Sequence, residues 1–223
     1  MYGFKRTLAS TLILALVLAA TAPASPVVGG QSIHLPLGDV AFEIVGQVRN
    51  PTPATSNQYG YLSNVNGLNL EQIFDSGSHS EGSALFTFFT VAENTQVINN
   101  GNLRVVNRTG TTTIYYDPTH GDFSDPDSFR DGTPILVMSL RQQVILDLSE
   151  GTFTATNVNT VTSVAPVVGG GSDVRLGKEG DQFRTSINGR GNTTGTPAGF
   201  VIAGYTVAIE KERPKLKGGG PTL

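Results

Sequence analysis

The densest group of ionisable side chains lies in the segment from Tyr115 to Gly132, which reads YYDPTHGDFSDPDSFRDG. It contains His120, Arg130 and five aspartates, namely Asp117, Asp122, Asp125, Asp127 and Asp131. Carboxylates interspersed with hydroxyls and backbone carbonyls are the hard oxygen ligands that Ca²⁺ prefers. The segment therefore predicts a calcium site formed by these five aspartates, and Ca²⁺ is the only cofactor that the sequence suggests.

The same aspartates have a simpler interpretation as turn residues. Asp117 and Asp125 each precede a proline, and Asp-Pro begins turns because the carboxylate bonds nearby backbone while proline fixes φ. The segment also lacks the ligand spacing, the central glycine and the closing glutamate of an EF-hand loop. A calcium site and a structured, solvated loop are therefore both compatible with the sequence.

Motifs of nucleophilic or cofactor-dependent enzymes are not found in the sequence. The chain has no cysteine, no Gly-x-Ser-x-Gly elbow and no His-x-x-x-His pair. His79 stands beside Ser78 and Glu81, but a Ser-His-acid triad converges in space and rarely along the chain. The catalytic residues are accordingly left unassigned, and a non-catalytic protein is favoured over an enzyme.

Aromatic side chains provide a second candidate site. Five of them lie in apolar, strand-like stretches: Phe86, Phe88, Tyr115, Tyr116 and Tyr205. Small-molecule sites in barrels combine apolar walls with a few polar tips, and these rings have that character. We expect them either to line a ligand pocket or to form ordinary core.

The elements that must position these residues are β-strands, because the dominant hydrophobic period is two. In ILVMSLRQQVILDL (135–148), Leu136, Met138 and Leu140 share one face and Ser139 and Arg141 share the other, which predicts a half-buried strand. The stretch 152–164 is rich in Thr and Val and predicts the returning strand after a turn at Glu150–Gly151.

Further strands are predicted around that pair. They are ALFTFFTV (84–91), covered on both faces; LRVVN and TTTIYY, after a hairpin turn at Asn99–Gly101; FEIVGQV (42–48); and FVIAGYTVAI (200–209). Gly46 and Gly204 interrupt the last two and indicate bulges or close backbone approach. Only Asn69–Phe74 predicts a helical turn, with Asn69 as N-cap.

This pattern predicts an all-β fold with very little helix: a single antiparallel β-barrel, or as second choice a β-sandwich. It resembles the small antiparallel barrels of the calycin and dirigent/allene-oxide-cyclase type in architecture alone. The stretch SPVVGGQS at Ser25 recurs as APVVGGGS at Ala165. Coincidence is the simpler explanation, but a duplicated strand pair would let the two ends of the chain meet and close a barrel.

The first 24 residues predict a secretory signal peptide. Lys5 and Arg6 precede the apolar run Leu8–Ala20, and small residues follow up to Ala24. We therefore expect an exported protein, extracellular or periplasmic and bacterial, with an all-β domain over 25–210 and a flexible basic, Gly-rich tail over 211–223. The apolar run is shorter than the ~20 residues of a membrane span, so no transmembrane segment is expected in the mature chain.

The charge and the amino-acid composition limit the kinds of molecule that the protein could bind. The chain of 223 residues has 15 Lys and Arg against 18 Asp and Glu, and the mature chain has two fewer basic residues. This acidic balance argues against nucleic acid as a partner. The low charge with abundant Gly, Thr and Asn favours carbohydrate, a small apolar ligand or self-association.

We therefore expect a secreted protein that acts by ligand binding or by assembly at a surface or in a matrix. Two alternatives stay open. One is a small barrel enzyme, an isomerase, cyclase or hydrolase, with an aromatic-lined cavity. The other is a structural filament subunit that uses its N-terminal segment SPVVGGQSIHLPLG as an added strand.

Overall fold

The computed structural model describes residues 31–32, 37–167, 174–192 and 199–209. The predicted signal peptide and the predicted C-terminal tail lie outside these residues. So do His34 and most of the two PVVGG stretches.

Ten strands, one short α-helix and two 3₁₀ turns make up the described fold. The helix is α1 (Leu70–Ile73), and the 3₁₀ turns are Glu81–Ser83 and Pro126–Arg130. The strands are β1 (Gln31–Ser32), β2 (Val40–Arg49), β3 (Thr55–Val65), β4 (Phe86–Asn100), β5 (Leu103–Tyr116), β6 (Thr133–Asp147), β7 (Thr152–Val164), β8 (Val174–Arg175), β9 (Gln182–Asn192) and β10 (Gly199–Ile209).

Eight of the strands form a closed antiparallel barrel, in the order β2-β3-β4-β5-β6-β7-β9-β10, with β10 pairing back onto β2. The prediction of an all-β barrel with almost no helix is confirmed. Closure joins the first and the last strand of the barrel along the chain, with Phe200 opposite Val48 and Gly204 opposite Ile44. Strands β1 and β8 form a separate parallel pair outside the barrel.

The period-two pattern places side chains alternately inside and outside the barrel. In β6, Leu136, Met138 and Leu140 are buried, whereas Ser139 and Arg141 are exposed, as predicted. An eight-stranded barrel is just wide enough for such side chains to fill its interior. The core therefore lies inside the barrel, and the outer surface of β6 faces solvent.

The turns divide the barrel into two ends. The hairpin end carries the tight β4–β5 and β6–β7 turns, where Gly101 (φ 58°) and Gly151 (φ 64°) adopt the left-handed conformation. The loop end carries the connections 66–85 and 117–132. The predicted helical turn lies there, and its N-cap is confirmed because the Asn69 side chain accepts from the backbone N–H of Gln72 at 3.0 Å.

Strand β4 is longer than the sequence pattern predicts. The predicted strand stops at Val91, but the observed one runs on to Asn100, so the turn begins at Gly101 rather than Asn99. Residues 93–100 are polar or exposed, and continuous pairing with β5 holds them in strand geometry. Tertiary pairing here overrides a sequence with no clear alternation.

Candidate functional site

The lumen of the barrel contains two small cavities, each of about 20 Å³. The inner cavity is lined by apolar side chains such as Phe42, Phe88 and Met138 and by an equal number of amides and threonines. The outer cavity lies toward the hairpin end and is lined by Gln58, Arg108, Phe153 and Phe200 among others. Since a water molecule needs about 10–15 Å³ on this measure, each cavity has room for roughly one.

Three amide side chains cross the lumen between the two cavities. Gln58 Nε2 donates to Gln142 Oε1 at 3.1 Å, and Gln142 Nε2 donates to Asn157 Oδ1 at 2.8 Å. All three residues are at most 5% exposed, and Gln58 lines both cavities. Burying an amide is costly unless it is hydrogen-bonded, so this amide layer is maintained by mutual pairing.

Arg108 lies on the hairpin-end side of the amide layer. Its Nε donates to Asn94 Oδ1 at 2.9 Å, and its Nη1 donates to Gln142 Oε1 at 3.2 Å. Both acceptors are neutral, and within the described residues neither ion pair, Asp75–His120 or Asp127–Arg130, involves Arg108. Burial, and secondarily the positive charge of Arg104, lowers the pKa of Arg108 to about 10. The outer cavity therefore contains a desolvated cation that has no carboxylate partner in the described part of the chain.

Buried hydroxyls and one more amide surround the inner cavity. Thr90 and Thr112 share a hydrogen bond at 3.0 Å, and Thr185 and Thr206 share one at 2.9 Å. Asn159 Nδ2 donates to Thr185 Oγ1 at 3.4 Å, but its Oδ1 accepts nothing from the described residues. The lumen is thus polar at several inward-facing positions as well as apolar.

The structure does not bring the five predicted pocket aromatics together. Phe88 alone lines a lumen cavity, and it lies against Gly46 and Gly60, where an added Cβ would come within 3.0 Å of its ring. Phe86 is buried beside Tyr116, with ring centroids 5.7 Å apart. Tyr115 packs on the outer side of the barrel, and Tyr205 faces solvent. Strand alternation explains the separation, since neighbouring residues such as Tyr115 and Tyr116 point to opposite faces.

Four of the five predicted calcium ligands use their carboxylates in local contacts. Asp117 Oδ1 accepts from the Thr119 hydroxyl at 2.6 Å, Asp122 Oδ1 from the Ser124 N–H at 2.7 Å, and Asp125 Oδ1 from the Asp127 N–H at 3.2 Å. The backbone and side chain of Ser124 hold the pKa of Asp122 below its ordinary value. The Asp127 carboxylate pairs with Arg130 at 2.9 Å, whereas Asp131 caps the 3₁₀ turn through its backbone N–H, which donates to the Ser128 carbonyl.

Within the described residues, no group of three or more His, Cys, Asp or Glu side chains is arranged to hold a metal ion. The turn interpretation of the aspartates therefore has direct geometric support. One oxygen, Asp117 Oδ2, is buried and lacks a hydrogen-bond partner in the described chain. Calcium binding stays a prediction of the sequence.

The acidic segment is folded onto the outside of the barrel by an aromatic anchor. Phe129 is fully buried against Tyr59 and Phe123, at ring-centroid distances of 5.6 and 4.9 Å. Thr87 Oγ1 donates to the Phe129 carbonyl at 3.0 Å, and the Arg130 guanidinium lies 4.8 Å from the ring centroid of Phe89. This anchor covers the outer face of β4, which explains why the sequence of that strand is apolar on both sides.

Two histidines lie in the loop-end connections. His120 has a positive φ of 66°, and its Nε2 lies 2.8 Å from Asp75 Oδ2, which ties the two connections together. His79 is exposed and packs its ring on Phe74, with centroids 4.9 Å apart.

Sequence reasoning missed the amide layer and Arg108. The signal that could have found them is polar residues at inward positions of otherwise alternating strands. Gln142 continues the inward series Leu136, Met138 and Leu140, and Asn157 occupies an inward position in β7. Reading the register of each strand for such exceptions would have identified the lumen as the candidate site.

No helix in the described ranges has the length and apolar character needed to cross a membrane. No protein-family model, no curated protein and no solved structure matches the chain.

Proposed function

We propose that the mature chain is an exported, non-catalytic binding protein that takes a small carboxylate at the hairpin-end mouth of the barrel. The observation that carries this proposal is Arg108, a partly desolvated guanidinium whose hydrogen bonds within the described residues go only to neutral oxygens. A cation withdrawn from water is costly unless an anion or a full set of acceptors compensates it. An anionic ligand would supply that compensation.

The donor count of Arg108 supports a carboxylate as the ligand. A guanidinium has five N–H donors in a planar fork, and the described contacts of Arg108 use only one on Nε and one on Nη1. The remaining donors on Nη1 and Nη2 suit the two oxygens of a carboxylate, which guanidinium binds in bidentate fashion. The nearby positive charge of Arg104 adds to the attraction for an anion.

The surroundings of Arg108 limit what else the ligand can be. Val48, Val144, Leu146, Phe153 and Phe200 line the same cavity, so an apolar group attached to the carboxylate would contact apolar walls. The cavity holds roughly one water molecule, which leaves room for the charged head group and not for a large guest. We therefore infer a ligand whose carboxylate enters the outer cavity, while the apolar group attached to the carboxylate stays at the opening of the barrel.

The chemistry of the lumen favours binding over catalysis. Among the described residues, the side chains that line the two cavities are apolar groups, hydroxyls, amides and Arg108, with no His, Asp, Glu, Lys or Cys. General acid–base catalysis near neutral pH needs a group whose pKa lies near the working pH. Amides and an arginine orient a ligand, but they do not supply such a proton.

Direct titration tests the proposal. Hexanoate and benzoate are titrated into the mature protein by calorimetry at low ionic strength, with hexanol and benzyl alcohol as uncharged comparisons. We expect the carboxylates to bind and to raise the melting temperature, because a ligand that binds only the folded state stabilises it. We expect Arg108→Gln to weaken binding at least about tenfold, or ~1.4 kcal/mol.

Arg141→Gln is the matched control, because Arg141 lies on the neighbouring strand and faces solvent on the outer surface. It should bind like the wild type. The proposal fails if neither carboxylate binds, or if Arg108→Gln and Arg141→Gln behave alike.

A further inference from the structure

Strand β4 leaves the barrel wall before it ends. Its pairing with β3 runs only from Tyr61 opposite Thr87 to Thr55 opposite Glu93, and Asn94 N donates to Ala54 O at 2.8 Å as the last contact on that side. Its pairing with β5 continues to Asn100 opposite Leu103. Within the described residues, the stretch 95–100 therefore has a partner strand on one edge only. We call this stretch the free edge.

The free edge lacks most of the features that usually protect such strands, and only a β-bulge between Asn94 and Gln96 lies at its start. A free edge presents a row of backbone N–H and C=O groups to any extended chain, and natural proteins block it with charge, proline or cover. The stretch TQVINN contains no charged residue, no proline and no glycine. Val97 and Ile98 are 38% and 47% exposed, so its two apolar side chains face solvent.

An apolar stripe extends from the free edge across the outer face of the hairpin. Ile98 pairs with Val105, and Val105 pairs with Ile145 on β6. Ile145 is 40% exposed, and Val105 is half-buried. A chain that docks on the free edge would thus bury Ile98 and extend this stripe, in addition to forming main-chain hydrogen bonds.

We propose that the occupant of the free edge is the same edge of a second copy of this chain, paired antiparallel about a twofold axis. The sequence is compatible with itself in that arrangement. With the axis at Ile98, Gln96 meets Asn100 and Val97 meets Asn99 of the second copy, so no like charges oppose each other. Two β4–β5 hairpins would then form one continuous four-stranded sheet, a case of β-augmentation.

The expected dimer is weak. Six residues of strand and one apolar stripe form a contact at the small end of specific interfaces, which bury about 1,200–2,000 Å² in total. We therefore expect dissociation at micromolar concentration, in equilibrium with monomer. The contact lies outside the lumen, so this inference does not depend on the carboxylate site.

Sedimentation of the mature chain between about 1 and 500 µM tests the dimer. We expect the mass to rise from monomer to dimer and no further, since a twofold contact closes on itself. Ile98→Lys opposes two like charges at the axis and should leave a monomer at every concentration. Val91→Lys is the matched control, because Val91 is 45% exposed on the same strand but pairs with both Asn57 and Thr111. It should dimerise like the wild type.

A cross-linking experiment tests the register without relying on affinity. The chain has no cysteine, so Ile98→Cys introduces a single thiol that lies opposite itself in the proposed dimer. We expect disulfide-linked dimer to form at least about tenfold faster with Ile98→Cys than with Val91→Cys, because bridging requires Cα atoms within about 7 Å. A wild type that stays monomeric, growth beyond the dimer, a dimer that Ile98→Lys retains, or equal cross-linking rates would each overturn the proposal. A dimer that Ile98→Lys retains would indicate another contact, such as an added N-terminal strand.

Discussion

Arg108 and Gln142 lie on neighbouring strands inside the barrel, and the guanidinium donates to the amide oxygen of Gln142 at 3.2 Å. That same oxygen accepts from Gln58 Nε2, so one neutral acceptor serves a cation and an amide together. A carboxylate at this position would have neutralised the charge. The amide leaves the positive charge of Arg108 available, which is the arrangement expected of a site that receives an anion.

The first prediction concerns the free energy of unfolding that the protein loses by burying the charged Arg108 side chain. Its pKa in the folded state, about 10, is below the ordinary value of arginine because the side chain is largely buried. The folded protein therefore binds this proton less tightly than the unfolded chain does. The resulting penalty is fully present below about pH 10 and is relieved as the pH rises above that value.

Arg108→Met removes that penalty while keeping the length of the side chain. We expect the free energy of unfolding at pH 7 to stay equal or to rise by about 1 kcal/mol, a figure reduced for the partial exposure of the group. Urea denaturation measures it, with Arg141→Met as the outer-surface control. A loss of more than about 2 kcal/mol would instead show that Arg108 is retained for structural reasons.

The second prediction concerns the close approach of β2 to its neighbours. Gly46 lies opposite Gly60 of β3, and an added Cβ at Gly46 would lie 2.3 Å from the Tyr59 carbonyl oxygen and 3.0 Å from the Phe88 ring. We expect Gly46→Ala to reduce the free energy of unfolding by about 3 kcal/mol or to prevent folding, because backbone cannot yield as a flexible side chain does.

Gly77→Ala serves as the control, because nothing lies within 4 Å of an added Cβ there. Its free energy of unfolding should lie within about 0.5 kcal/mol of the wild-type value, as is usual for surface substitutions. Equal melting of the two variants would mean that β2 and β3 shift apart easily, and that the glycines do not limit the packing of Phe88.

The sequence predicts the positions of the barrel strands better than it predicts their long-range pairing and packing. Alternation in 135–148 predicts which face of β6 points inward, and Asn69 predicts the start of the helical turn. Both signals lie within a few residues of the element that they predict. The length of β4 is not local: residues 93–100 follow no alternation and become strand only by pairing with β5. The anchoring of Phe129 on Tyr59 is likewise invisible, since 70 residues of sequence separate two rings that the fold places 5.6 Å apart.

The candidate site shows the same limit. Asp117 and Asp125 could be assigned to turns from their neighbours, because each precedes a proline. Arg108 shares the inward alternation of Val106, Thr112 and Ile114 in β5, which directs it toward the lumen. The predicted strands LRVVN and TTTIYY leave Arg108 between them, so the sequence pattern does not place it in a strand.

The third prediction separates the two interpretations of the acidic segment at Asp125. This residue is the N-cap of the 3₁₀ turn Pro126–Arg130, and its Oδ1 accepts from the Asp127 N–H. Asp125→Asn keeps an oxygen acceptor and removes the charge, whereas Asp125→Ala removes the acceptor itself. If the carboxylate acts only as a cap, the melting temperature of Asp125→Asn should equal that of the wild type. The free energy of unfolding of Asp125→Ala should be lower by about 0.5–1 kcal/mol.

Melting of the wild type and both variants, with and without millimolar CaCl₂, makes the comparison decisive. A cap needs no metal, so each of the three proteins should melt at the same temperature with and without calcium. In both buffers, Asp125→Asn should melt at a higher temperature than Asp125→Ala. A bound ion requires the negative charge, so a calcium-dependent rise that Asp125→Asn abolishes would establish the site that the sequence predicts. The distinction holds because asparagine replaces aspartate well as a cap but poorly as a ligand that must neutralise a divalent cation.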